Sequence, residues 1–186
     1  MFKLFLEEGF NHILDPQAYD HIMFVIAICV IYKWTDWKKV IILVTAFTVG
    51  HSLTLALASL DIVKVNSQLI ETLIPITIII SAAFNLIKGF REGQDTGTIQ
   101  YTLAAGFGLI HGLGFSNYLK SILAGEDSII GPLLAFNIGV ELGQLVIVLL
   151  TMLLGFLIGL IKVKHEWFAK TILVFIILFS IKLLLA

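Results

Sequence analysis

At 186 residues the chain is 59% hydrophobic and only 13% charged, with a mean hydropathy of +1.01; a soluble domain carries about twice that charged fraction. This excludes a water-soluble globular protein and leaves no room for a soluble domain beside a membrane bundle. The net charge of -1 argues against a nucleic-acid partner, and a single cysteine, Cys29 in an apolar run, excludes an intrachain disulfide.

Residues 1–14 are short and mixed, with Phe2, Leu4, Phe5, Phe10, Ile13 and Leu14 able to rest on the membrane interface. Glu7, Glu8 and the lack of a long apolar core argue against a cleavable signal, so the first span is expected to be retained. Asp15-Pro16 reads as a helix start, a carboxylate cap followed by proline at the first helical position. The first predicted span covers residues 16–32 and ends in Lys33-Trp34-Thr35-Asp36-Trp37-Lys38-Lys39, charges with interfacial tryptophans. The second covers 40–60, long enough to cross a bilayer as a helix, and the third, capped by Asn66 or Ser67, covers 67–88. Gly89 to Thr98 read as a loop. The fourth span, 99–124, surrounds His111 with Gly106, Gly108, Gly112 and Gly114, a spacing that lets helices approach closely. A turn at Gly125-Glu126-Asp127-Ser128 leads to a fifth span over 129–161, long enough to tilt. Lys162 to Glu166 form a charged loop, with His165 expected in water, before a sixth span over 167–186. The fold class is all-α: one polytopic membrane bundle of about six transmembrane helices.

The loops after spans one, three and five hold Lys33, Lys38, Lys39, Lys88, Arg91, Lys162 and Lys164, with Lys170 close by, against Lys3, Lys64, Lys120 and Lys182 on the other side. The positive-inside rule places both termini outside the cytoplasm. No internal repeat is evident, and His51 and His111 fall on spans of the same direction, so they do not report an inverted duplication.

Lipid offers no partner to an imidazole or a carboxylate, so polar groups within the spans must look inward. Asp20 and His21 lie in the outer part of span one and Glu71 in the outer part of span three, while His51, His111 and Glu141 lie near the middle. His12 lies just outside span one and can fold over the bundle. Asn137, Glu141 and Gln144 share one helix face. The expected geometry is an outward-facing polar pocket that closes near the midplane. Imidazoles and carboxylates together are what a transition metal or zinc requires. The expected ligands are His12, Asp20, His21, His51, His111 and Glu141; Asn137, Gln144, Ser52, Thr48 and Glu71 are expected to orient them. An ionised group at the midplane costs about 2.5–3.5 kcal/mol, which a shared cation or protonation of the glutamate offsets.

Each residue also has a plainer reading. A lone buried histidine is usually a hydrogen-bonded structural group, the glycines around His111 serve packing, Asp15 caps, Asp20 complements a helix N-terminus and Glu71 reaches water. Histidines on three spans together with Glu141 favour a shared site.

Four blocks in order resemble the HupE/UreJ family of small bacterial membrane proteins. They are Gly9-Phe10-Asn11-His12-Ile13-Leu14 leading to Asp20-His21; Phe47-Thr48-Val49-Gly50-His51-Ser52-Leu53-Thr54-Leu55-Ala56; His111-Gly112-Leu113-Gly114-Phe115; and Phe136-Asn137-Ile138-Gly139-Val140-Glu141-Leu142-Gly143-Gln144. The resemblance implies a six- or seven-helix, multi-pass protein of the bacterial inner membrane, regarded as a metal permease; members encoded beside hydrogenase and urease genes are taken to supply nickel. The chain departs from the nickel-associated pattern, with seven residues between His12 and Asp20 where that pattern has five, and with Phe107 and Gly114 where it has a second histidine and a glutamate. The ion is left as nickel, zinc, iron or cobalt, and self-association is left open.

Two functions are compatible with these residues. In a divalent-metal transporter, the ion passes His12, Asp20 and His21, dwells at His51, His111 and Glu141 and leaves toward the cytoplasm. The inner halves hold few polar residues beyond Thr45, Thr48, Asn85 and Thr102 to carry it out. In an intramembrane metal-dependent enzyme, of the zinc hydrolase or di-iron type, the same ligands with Glu141 as ligand or base act on a membrane-soluble substrate or lipid. A bundle whose polar groups only lock helix packing is the bland alternative.

Overall fold

The computed structural model describes residues 1–64, 66–88, 90, 97–123 and 128–185. These form α1 (Phe2–Leu14), α2 (Tyr19–Cys29), a 3-10 turn (Trp34–Asp36), α3 (Trp37–Ser59), α4 (Ser67–Lys88), α5 (Gly97–Leu123), α6 (Ile130–Leu160) and α7 (His165–Leu184), with no strand among the described residues. Among the described residues, four helices are long and apolar enough to cross a membrane: α3 with its leading turn, α4, α6 and α7. At 27 residues α5 has the length, but its glycines and polar side chains dilute its apolarity; α2 is apolar and only 11 residues long. The expected loop at Gly89 to Thr98 and turn at Gly125 to Ser128 fall mostly outside the described residues, as do Arg91, Ala124 and Ala186.

The N-terminal region departs most from expectation. Residues 1–14 form a helix, α1, which buries Phe5, Gly9 and Ile13 against α6. The physical reason is a groove on α6, where Gly139 and Gly143 let the backbone of α1 approach. Nor does a helix begin at Pro16. Asp15 Oδ1 accepts a hydrogen bond from the Gln17 backbone N–H at 2.8 Å, closing a turn over the proline, and α2 starts at Tyr19. His165, expected in water, opens α7 half-buried against Gly155 and Phe168.

Contacts fix the sense of each helix. Against α5, α4 runs antiparallel: Ser67 meets Asn117, Thr77 meets His111 and Asn85 meets Gln100. Against α6, α3 runs antiparallel, with Thr45 on Glu141 and Trp37 beside Met152. In α2, Asp20 lies near Glu71 and Ala27 near Asn85, so α2 parallels α4. Gly9 meets Phe136 and Ile13 meets Gly143, so α1 parallels α6. It follows that α1 and α2 run in one sense, separated by residues 15–18, and that α3, α4, α5 and α6 then alternate. Leu183 lines a crevice with Ile74 and Ile78 while Lys170 lies over the Phe90 ring just past α4, which sets α7 antiparallel to α4.

Two parallel pairs share one packing device. In α3 and α5, a β-carbon added at Gly50 would strike the Ala105 carbonyl, and one at Gly108 would strike that of Phe47. In α1 and α6, one at Gly139 would strike the Leu6 carbonyl and one at Gly9 that of Phe136. Each glycine thus faces the carbonyl three residues before its partner glycine, the geometry in which Cα–H groups point at carbonyl oxygens across a close interface. The sequences match at these points. Gly9-Phe10-Asn11-His12 corresponds to Gly108-Leu109-Ile110-His111, and Ala46-Phe47-Thr48-Val49-Gly50 to Ala135-Phe136-Asn137-Ile138-Gly139. The expectation of no internal repeat is therefore corrected. His51 and His111 do lie on helices of one sense, as read from the sequence; the related histidines are His12 and His111.

Candidate metal centre

Four histidines converge from four helices. His21 enters at the start of α2 and stands between the other three, with ring centroids 4.7 Å from His12, 5.2 Å from His111 and 6.1 Å from His51. The close α3–α5 approach brings His51 and His111 to full burial. His12 is carried in by α1, between Phe115 at 3.7 Å and Phe136 at 5.9 Å. His111 meets Phe47 at 5.3 Å, the counterpart contact in the other helix pair.

The potential ligand atoms form two groups that share His21. One is His12, His21 and His51; the other is Asp20, His21 and His111; within each, the atoms lie within 4.8 Å of one another. Nitrogens bound at about 2.0–2.1 Å to one tetrahedral ion stand roughly 3.3 Å apart, so modest side-chain movement closes either group on an ion.

The hydrogen bonds around the rings leave buried lone pairs without partners. His21 Nδ1 lies 3.1 Å from Asp20 Oδ1; it gives its proton to the carboxylate and leaves Nε2, buried and without a partner, as the open lone pair. Thr77 Oγ1 donates to the Ile74 carbonyl at 2.7 Å, so at 3.0 Å it accepts from His111 Nε2–H. His111 Nδ1 is then the free acceptor, also buried and unpartnered. His12 Nε2 lacks a partner as well, and the His51 ring has Asn137 as a polar neighbour. Asn137 lies beside His51 with its own Oδ1 unpartnered, while its Nδ2 donates to the Leu133 carbonyl at 2.8 Å. Buried polar atoms are rarely left in this condition, each costing about 1–3 kcal/mol. A cation taking one lone pair from each ring satisfies those nitrogens, and the N–H of a neutral His51 has Asn137 beside it as acceptor, so the residues fit a metal.

Of the expected ligands, five are in the two groups and Glu141 is in neither. It is half-buried, and its Oε1 accepts from Thr45 Oγ1 at 2.5 Å. Because α3 and α6 run oppositely, Glu141 sits level with Thr45, six residues from His51 and thus about 9 Å along the helix axis. Among the expected orienting residues, Thr48 donates toward Gln144 Oε1 at 2.9 Å, and Ser52 bonds back to the Thr48 carbonyl at 2.6 Å. These pair with one another rather than with the histidines. Glu71 is exposed and lines a crevice of about 400 Å³ that also reaches Asp20. A second crevice, of about 480 Å³, is lined by Glu8, Asn11, His12, Asp15 and Tyr118 and has His12 on its wall. Thr77 was not singled out from the sequence; a threonine one helix away from a histidine gives no local signal.

A family model described as HupE / UreJ protein matches residues 1–186, the whole chain. The chain belongs to the HupE/UreJ family. No curated protein and no solved structure matches it. Family membership, apolar helices and the two ligand groups make this HupE/UreJ chain a metal-related membrane protein. In this HupE/UreJ chain the repeated Gly-x-x-His element supplies one histidine to each group.

Proposed function

We propose that the protein is a divalent transition-metal transporter of the bacterial inner membrane, its ion held among His12, His21, His51, His111 and Asp20. The observation that carries this reading is the set of buried imidazole nitrogens without partners, gathered around His21, with His12 on the wall of one crevice and Asp20 on the wall of the other. The crevice side is taken as the outer side, where the basic residues are fewer. On this reading α1 and α2 make one interrupted crossing, followed by α3 to α7, six crossings in all with both termini outside. Discontinuous helices at a mid-membrane ion site are a recurring transporter feature.

An ion arriving in the crevice meets Glu8 and Asp15 first, then His12, and gives up water as the imidazoles replace it. Asp20 supplies one negative charge, which offsets part of the cost of a divalent ion at depth. The hydrolytic alternative draws on the three-imidazole group, which leaves a coordination position open to water. The base expected for it, Glu141, is held by Thr45 and lies outside that group. That favours transport.

Elemental analysis of the purified protein, with zinc uptake into reconstituted vesicles, tests the proposal. Wild type is expected to retain metal and carry zinc, and His51→Ala with His111→Ala to lose both. Uptake unchanged in that double variant overturns it.

A further inference from the structure

The opposite half of the bundle holds a polar line that the metal reading does not use. Thr77, Ser81 and Asn85 are buried at successive turns on one face of α4, leading away from His111 for about 12 Å. At its far end, Tyr32 Oη donates to Gln100 Oε1 at 2.6 Å, Gln100 Nε2 donates to Asn85 Oδ1 at 2.8 Å, and Asn85 Nδ2 donates to the Ala27 carbonyl at 2.8 Å. A cavity of only about 10 Å³ lies against Ser81, Asn85 and Gln100. Nothing about packing requires hydroxyls and carboxamides here; apolar side chains of similar volume would fill the space without buried polar groups.

The repeat gives this line a role. Taking α1 and α2 as one unit, the halves are α1–α2, α3, α4 and α5, α6, α7, each helix running opposite to its counterpart. His12 of the first half faces an open crevice, and its counterpart His111 lies on the buried polar line. Inverted halves around a mid-membrane site allow one arrangement to be exchanged for its mirror, opening the site to the other side.

We infer that the line from Thr77 through Ser81 and Asn85 to Gln100 is the route by which the divalent cation leaves the histidine cluster, closed at its end by the Tyr32–Gln100–Asn85 hydrogen bonds. The inference rests on the transport reading and supplies the exit that reading lacks. Its chemistry suits release. Beyond His111 the line offers only neutral oxygens, with no imidazole, thiolate or carboxylate among its named residues, so a cation finds partners without being trapped.

Zinc flux into vesicles containing a trapped zinc indicator, measured beside zinc content of the same protein, tests this. Ser81→Leu and Asn85→Leu each place an apolar side chain in the line; both are expected to keep wild-type zinc content and to lose flux by about tenfold or more. A second arm uses Ser81→Cys in a Cys29→Ala background with a membrane-impermeant thiol reagent. Labelling from the side opposite the crevices, during zinc transport, is expected to block flux. Flux within about twofold of wild type in the leucine variants, or a Ser81→Cys thiol that stays unlabelled from that side, overturns the route while leaving the metal site standing. Wild-type protein that binds no zinc overturns the metal reading itself, and the route with it.

Discussion

Thr77 holds His111 in a single tautomer. Its hydroxyl hydrogen goes to the Ile74 carbonyl at 2.7 Å, so the only bond it can make with His111 Nε2, at 3.0 Å, is as acceptor. Nδ1 is thereby kept as a buried lone pair, and His111 shares a ligand group with Asp20 and His21. Thr77→Val keeps the shape and removes that acceptor. Zinc affinity is expected to fall by about 10–100-fold, the usual effect of losing a ligand's hydrogen-bond partner, with Thr77→Ser restoring it. Isothermal titration of the three proteins in detergent checks this; equal affinities would make Thr77 a packing residue only.

Asp20 acts on His21 in the same manner and also supplies charge. Asp20→Asn should weaken zinc more than Thr77→Val does, because it removes the site's negative charge and leaves only a neutral amide oxygen as acceptor and possible ligand. Competition titration with a chelating dye gives the ordering.

Protons and a metal ion compete for the same imidazole lone pairs. Zinc content is expected to fall as the pH is lowered, because each proton taken up by a ring removes a lone pair from the ion. The exposed pair of Asp61 with Lys120, 2.7 Å apart, provides a contrast. The hydrogen bond and charge of Lys120 hold the Asp61 carboxyl below its usual range. Its folded value is depressed, so the pairing is present above the unfolded value and is lost as pH falls through the folded one. Asp61→Asn should leave the pH profile of zinc content unchanged.

Glu141→Gln should retain wild-type zinc content, since the carboxylate bonds Thr45 and lies outside both ligand groups. Elemental analysis of that variant against His51→Ala separates the two roles: loss of zinc in Glu141→Gln would place the carboxylate among the ligands.

Gly9 and Gly108 face carbonyls in corresponding ways, so Gly9→Ala and Gly108→Ala should cost similar stability, about 1–3 kcal/mol each for overpacking. Gly106 has nothing within 4 Å of its added β-carbon, and Gly106→Ala should be neutral or slightly stabilising. Thermal unfolding in detergent reads all three. A harmless Gly108→Ala would mean that the α3–α5 approach relaxes at little cost.

Composition and apolar runs were enough to read an all-helical membrane protein, and α4 matches its expected bounds at 67–88. The histidines and Asp20 were legible because ionisable groups inside apolar runs are costly unless shared. What the sequence hid was register. Whether Glu141 reaches His51 or Thr45 depends on how far α6 slides along α3, and no spacing within either helix records that. The inward turn of α1 was missed for a related reason: a short mixed segment looks interfacial until Gly139 and Gly143, more than a hundred residues later, are seen to make room for it. The repeat was in plain sight as two Gly-x-x-His and two Ala-Phe-x-(Val/Ile)-Gly elements. They come in the same order in both halves, but each is short, and each packs against a partner from the other half.

The turn at Asp15 to Ala18 has no counterpart in α5, which runs unbroken through Gly97–Leu123. Swapping the roles of the two halves therefore cannot return an identical molecule: one posture keeps a joint beside its histidine, and the other presents a straight rod there. On the proposed exchange of halves, such uneven arms would give the resting molecule a preferred posture, and an ion carried across would have to supply the difference.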